Sequence, residues 1–290
     1  MLPGMSPRLG SAVTLVGLVV VAAAVGCAPQ QSSSPTASSS AGCTPASLAT
    51  RTKGTLTIAT DSPAYPPWFV DNKPSNGKGY ESAVAYAVAK QLGYGRSKVK
   101  WTVVSFNSAI APGAKQFDFD INEFSISAER RKAVDFSAPY YDVRQAVVAL
   151  KTSPIATATT VAALKHAKLG AQVGTTSYQA ITDEVKPGPQ PQVFNNNDDA
   201  KKALQNGEID GLVVDLPTAF EISAEISGAR IVGQLPQLGG KVEQFGIVLD
   251  KGSPLTSCVS RAVDTLRGNK TLARLERQWL SGDAGAPELT

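Results

Sequence analysis

The sequence predicts an α/β fold, and three observations carry that prediction. Short runs of strand-forming residues alternate with helical stretches from about residue 51 to 281. The clearest helical stretch, residues 80–92, sets Tyr80, Val84, Val88 and Leu92 four apart on one face. The globular part is also long enough for two modest domains.

Taken in order, residues 55–60 alternate like a strand and end at Asp61. A loop of prolines and rings follows, with Tyr65, Pro66, Pro67, Trp68 and Phe69. Gly93 stops the 80–92 helix. Residues 99–104, 119–124 and 146–150 read as strands, and Arg130 stands at the start of a helical run between the last two. Residues 168–172, 209–215 and 245–249 are later strands. Ser253-Pro254 caps a helix striped by Leu255, Val259, Ala262, Val263 and Leu266. Gly268 ends it, and a last helix carries Leu272, Leu275 and Trp279.

The N-terminus reads as an export signal. Arg8 precedes an almost wholly apolar run from 12 to 25, and small residues lead to Cys27. That run is short for a membrane span, which needs about 20 residues. The small residues ending at Cys27 resemble a bacterial lipobox, which implies a leader over 1–26 and an acylated Cys27; an ordinary signal peptide is the alternative. The Ser-rich stretch after it has nothing to anchor a core, so 27–50 is expected to be a flexible tether. The two other cysteines, Cys43 and Cys258, form an even pair in an exported chain. A disulfide is expected, two separate thiols being the alternative.

The composition excludes several functions. The charge is +4 and scattered, with no basic stripe interleaved with rings, so nucleic acid is not an expected partner. With one histidine, His166, and no short cysteine spacing, neither a metal site nor histidine catalysis is expected. No nucleotide loop appears, and no cofactor is expected.

The informative stretch is residues 118–141. Ser125 and Ser127 are hydroxyl donors after a strand, and Arg130 opens the next run. A guanidinium beside hydroxyls and free N–H groups suits a carboxylate. A solvated capping box around Ser127 fits the same residues. The stretch resembles the signature of bacterial extracellular solute-binding proteins of the polar amino-acid uptake family. Further segments recur in that family's order: Thr60-Asp61 with Tyr65-Pro66-Pro67-Trp68, the turn from Val173 to Ser177, the strand ending at Asp215, and Gln244-Phe245-Gly246-Ile247.

The resemblance implies a two-lobe periplasmic-binding-protein fold of type II, with two crossover strands near 145–150 and 243–249 and a ligand cleft between the lobes. One lobe would take 51–146 plus 245–281 and the other 147–244, with 282–290 as a tail. It implies a monomer, leashed outside the cytoplasmic membrane, that brings an amino acid to an ABC permease with a separate ATPase subunit. Arg130, Ser125 and the backbone around Asn122 would take the α-carboxylate, joined by Thr175 and Thr176 from the second lobe. Asp215 would take the α-ammonium, with an N-cap for the following helix as its plainer role. Asp61, Tyr65, Trp68 and Phe106 would shape the side-chain pocket, with lobe packing an equal alternative for Trp68. Glu123 departs from the family, which has a small residue there. It favours a ligand with a positive or amide side chain. Two rivals share the fold: a prephenate or arogenate dehydratase-like enzyme, with Glu123 as acid, and a surface sensory module.

Overall fold

The computed structural model describes residues 42–280 and 286–290; the leader, Cys27 and the Ser-rich stretch to residue 41 lie outside the described residues. In chain order these residues form β1 (Leu56–Thr60), α1 (Tyr80–Gln91), β2 (Val99–Val103), α2 (Phe106–Ile110), β3 (Phe119–Asp120), α3 (Arg130–Ala133), β4 (Val134–Val143) and β5 (Gln145–Leu150). There follow β6 (Leu169–Gln172), α4 (Thr176–Ala180), β7 (Gln192–Phe194), α5 (Asn197–Gln205), β8 (Gly211–Asp215), α6 (Leu216–Glu225), β9 (Ala229–Gln234), β10 (Glu243–Asp250), α7 (Thr256–Gly268) and α8 (Thr271–Trp279).

The strands make two five-stranded mixed sheets, ordered β2-β1-β3-β10-β4 and β7-β6-β8-β5-β9. In the first, β1 runs parallel to β2 and β3, and parallel neighbours need crossovers, which α1 and α2 supply. In the second, β6 runs parallel to β7 and β8, while β5 is antiparallel to β8 and β9. The chain passes from sheet to sheet at Arg144, between β4 and β5, and returns into β10, which inserts between β3 and β4. The first lobe is therefore assembled from sequence on both sides of the second. This is the two-lobe architecture that the resemblance implied.

Each lobe has its own apolar interior. Trp68, Phe69, Tyr80, Phe119 and Phe245 are fully buried in the first. In the second, alternation along β5 sends Val147 and Ala149 into one layer and Ala146 and Val148 into another. Burial on both faces explains why this strand is a continuous apolar run. Each buried Val contributes on the order of 1.5–3 kcal/mol.

Several elements differ from the sequence expectation. The 119–124 strand stops at Asp120, because Glu123 takes a left-handed φ of 53° that breaks the ladder. The helical run at Arg130 lasts four residues, since the β-branched and aromatic residues from Val134 onward pair along nearly all of β10. Gly268 is the last residue of α7, and the turn into α8 comes at Lys270, with φ 61°. Residues 42–50 pack on the first lobe instead of trailing free: Cys43 is bonded to Cys258, and Leu48 joins the core. Residues 286–290 likewise bind the second lobe, with Gln234 N–H donating to Pro287 O (2.7 Å) and Leu289 buried.

Candidate functional site

The strands β1 and β3 of one lobe and β6 and β8 of the other end at one cavity, the usual ligand position in open α/β sheets. It holds about 570 Å³ of empty space, part of it open to solvent. Asp61, Tyr65, Phe106, Asn122 and Glu123 line it from the first lobe, and Thr175, Thr176, Asp215 and Thr218 from the second. Eight of the eleven residues expected from sequence thus meet at one cavity. Arg130, Ser125 and Trp68 stand behind its wall, all buried.

Arg130 spans the lobes. One terminal nitrogen donates to Ser125 O (2.8 Å) in the first lobe and the other to Gly174 O (3.0 Å) in the second. A guanidinium carries five N–H donors, so these carbonyls leave capacity for an anion. Burial pulls its pKa down to about 10, against the opposing pull of Glu243 and Asp215, so it is charged at neutral pH. Ser125 does not turn its hydroxyl to Arg130. It donates to Glu243 Oε1 (2.5 Å) and lies 3.2 Å from Thr176 Oγ1. Thr175 is a cap: its hydroxyl donates to Gln172 O (2.7 Å) and accepts from Tyr178 N–H.

Gly174 makes this junction possible. Its φ is +78°, and a Cβ there would lie 2.3 Å from Asn107 Oδ1 of the opposite lobe. The exposed Asn107 side chain can turn aside, so Gly174→Ala is expected to act through its left-handed backbone, a strain of about 1–2 kcal/mol, and to weaken ligand binding by up to about tenfold. Calorimetric titration checks this, and an unchanged affinity would show that closure does not need a glycine there.

The acidic side is denser. Asp215 accepts from Gln145 Nε2 (2.6 Å), which also reaches Glu243 Oε2 (3.0 Å), while Ser177 Oγ donates to Gln145 Oε1 (2.7 Å). Glu123 accepts from Thr218 Oγ1 (3.1 Å), and that hydroxyl receives the Trp68 indole N–H (2.8 Å). Trp68 is therefore a core ring, packed edge-on against Tyr80, Tyr141 and Phe245, and reaches the site only through its N–H. Glu81 accepts the Glu123 N–H (2.7 Å) and the Tyr140 hydroxyl. Burial pushes Glu81 up to about 7. Burial also raises Asp215 well above the carboxylate range, with Glu243 adding to it. Glu123 is raised in the same way, by burial first and then by Asp215 and Glu81.

The rings set the cavity walls. Phe106 stacks on Phe124 at 4.8 Å, with the Arg130 guanidinium 5.3 Å from its ring. Asp61 holds the start of α2 by accepting Phe106 N–H (3.2 Å), and its other oxygen accepts Ser62 N–H (2.6 Å). Tyr65 accepts from Asp198 N–H (3.3 Å) across the cleft, and burial raises its pKa. His166 is exposed and remote from the cavity lining.

Residues 56–282 match the model of the bacterial extracellular solute-binding proteins, family 3. The chain belongs to that family. This solute-binding protein is 27% identical to the L-cystine-binding protein of Escherichia coli K12 over 80% of its own chain and 84% of that one. It is 27% identical to the arginine-binding periplasmic protein of Mannheimia haemolytica, covering 76% and 89%. A solved ancestral arginine-binding protein bound to arginine superposes with a TM-score of 0.66, at 31% identity over 78% of this chain and 98% of that one. These relatives are named as binding proteins and not as enzymes, so the dehydratase-like reading is the weaker one. Among the described residues, no helix is long and apolar enough to cross a membrane.

Sequence reasoning missed Gln145, Thr218, Glu243 and Glu81. Gln145 had a signal, a polar residue opening an otherwise apolar strand. Glu81 had none, because it becomes a site residue only when α1 packs behind β3.

Proposed function

We propose that this solute-binding protein encloses one amino acid between its lobes and delivers it to the permease of an ABC transporter, powered by a separate ATPase subunit. The carrying observation is that Thr176 and Asp215 line one cavity while the charged guanidinium of Arg130 is buried behind its wall, bonded to Gly174 beside Thr175 and Thr176. An α-carboxylate takes the spare Arg130 donors, and an α-ammonium takes Asp215. Tyr65 and Phe106 flank the side chain. Relatives named for L-cystine and arginine support this ligand class.

The protein works as a monomer without a cofactor, held outside the cytoplasmic membrane by lipid on Cys27 and by the stretch that follows. Thermal melting with each common amino acid tests the ligand reading. A ligand at 100 times its Kd stabilises by about 2.7 kcal/mol, or several degrees, and no shift from any of them sinks it. Labelled palmitate entering the wild-type protein but not Cys27→Ser tests the anchor.

A further inference from the structure

We propose that Glu123 and Asp215 form a proton-exchange subsite: one proton bridges them when the closed cleft is empty, and the side-chain cation of a basic amino acid replaces it on Glu123. This rests on the amino-acid function proposed above and narrows it to ligands bearing a guanidinium or a second ammonium.

The geometry begins with the contact itself. The Glu123 and Asp215 carboxyl groups, from opposite lobes, line one cavity within hydrogen-bonding reach of each other. Such a bond requires one proton, because two carboxylates in contact repel. Glu123 has little freedom to swing away. Its left-handed backbone is fixed by the N–H bond to Glu81, and Thr218 holds its Oε2.

Among the described residues, none of the groups that act most on Glu123 is a cation. Glu123 faces Glu81 from α1, Tyr140 from β4, and Thr218 and Asp215 from the second lobe. Asp120 is fully buried near Glu81 and Asp61, and burial and both of these carboxyl groups raise its pKa, so it adds no positive charge to the cluster. Asp215 faces Glu243 from β10, Gln145 from β5, and the Arg130 guanidinium. Arg130 in turn spends donors on the Ser125 and Gly174 carbonyls. Burial and the neighbouring carboxyl groups raise the affinity of both Glu123 and Asp215 for a proton, against the pull of Gln145 and Arg130 on Asp215 and of Thr218 on Glu123.

Ligand entry breaks the pair. The α-ammonium engages Asp215, and Glu123 loses its partner. A neutral side chain gives Glu123 no charge to face, so Glu123 keeps the proton and donates it to an amide or hydroxyl oxygen. A cationic side chain supplies the charge that ionises Glu123, and its proton passes to the buffer. The number of protons released therefore reports the ligand's charge.

The test is calorimetric titration of the purified protein with L-arginine and L-glutamine, near pH 7, in buffers of different ionisation enthalpy. Close to one proton should leave per L-arginine bound and none per L-glutamine. In acid, L-arginine affinity should fall by about tenfold per pH unit while that of L-glutamine stays level. Glu123→Gln should abolish the release and shrink the arginine-to-glutamine affinity ratio by at least about tenfold. Arginine binding without proton release, or release that persists in Glu123→Gln, overturns the proposal. Binding of glutamine but not arginine also overturns it and leaves the amino-acid function standing. Failure of every amino acid to bind overturns both.

Discussion

Arg130→Ala is expected to lower amino-acid affinity by about a hundredfold or more. The guanidinium is a cation acting on Asp215, and it bridges the lobes through the Ser125 and Gly174 carbonyls. Hydrogen bonds to a charged group contribute roughly 1.5–3 kcal/mol each, and about 1.4 kcal/mol is tenfold in Kd. Losing a carboxylate contact and one lobe-to-lobe bond therefore accounts for two decades. Removing the charge also raises Asp215 further, since Arg130 pulls it down. Arg130→Lys should recover only part of the loss, because a single ammonium lacks the planar fork that holds two carbonyls and an anion together. Titration measures the affinity, and thermal melting without ligand separates binding from folding. An Arg130→Ala protein that melts like the wild type and keeps its Kd would remove Arg130 from the carboxylate site.

How far the site was legible in sequence depended on where each residue's partner lay. Asp215 ends a strand that reads as one, and Gly174-Thr175-Thr176 is a local turn, so both were placed from neighbours in the chain. Arg130 was also found, but its partners were not: the Gly174 carbonyl lies 44 residues away. Glu123 stood out as an acid where the family has a small residue. Its left-handed φ gives that preference a physical reason, since small residues adopt such backbone most easily. Trp68 stayed open between pocket wall and lobe packing, because a ring in a Pro-rich loop reads as either, and only packing against Tyr80 and Phe245 makes it core. The strand β4 was hidden because its residues follow three helix-forming charged ones, Arg130, Arg131 and Lys132. Pairing with β10, more than a hundred residues on, decides its conformation.

Replacing both Cys43 and Cys258 by Ser is expected to lower the melting temperature by roughly 5–15 °C while leaving ligand affinity within about twofold. The bridge closes a loop across a separation of 215 residues. The chain-entropy model credits so long a loop with about 5 kcal/mol, and measured values more often fall near 2–4 kcal/mol. One such kcal/mol moves the midpoint of a domain this size by about 2–4 °C. Affinity should hold because both ends of the bridge belong to the first lobe, away from the cavity. Cys258 lies on α7 within that lobe's core, and Cys43 packs against the same core beside Leu48. Neither α7 nor residues 42–50 contribute to the cavity lining. The bridge therefore ties the start of the folded chain to the segment that returns to complete its first lobe, and it restrains the unfolded chain rather than the lobe-to-lobe motion. A large loss of affinity in the double variant, with little change in melting, would mean that the staple acts on the cleft instead.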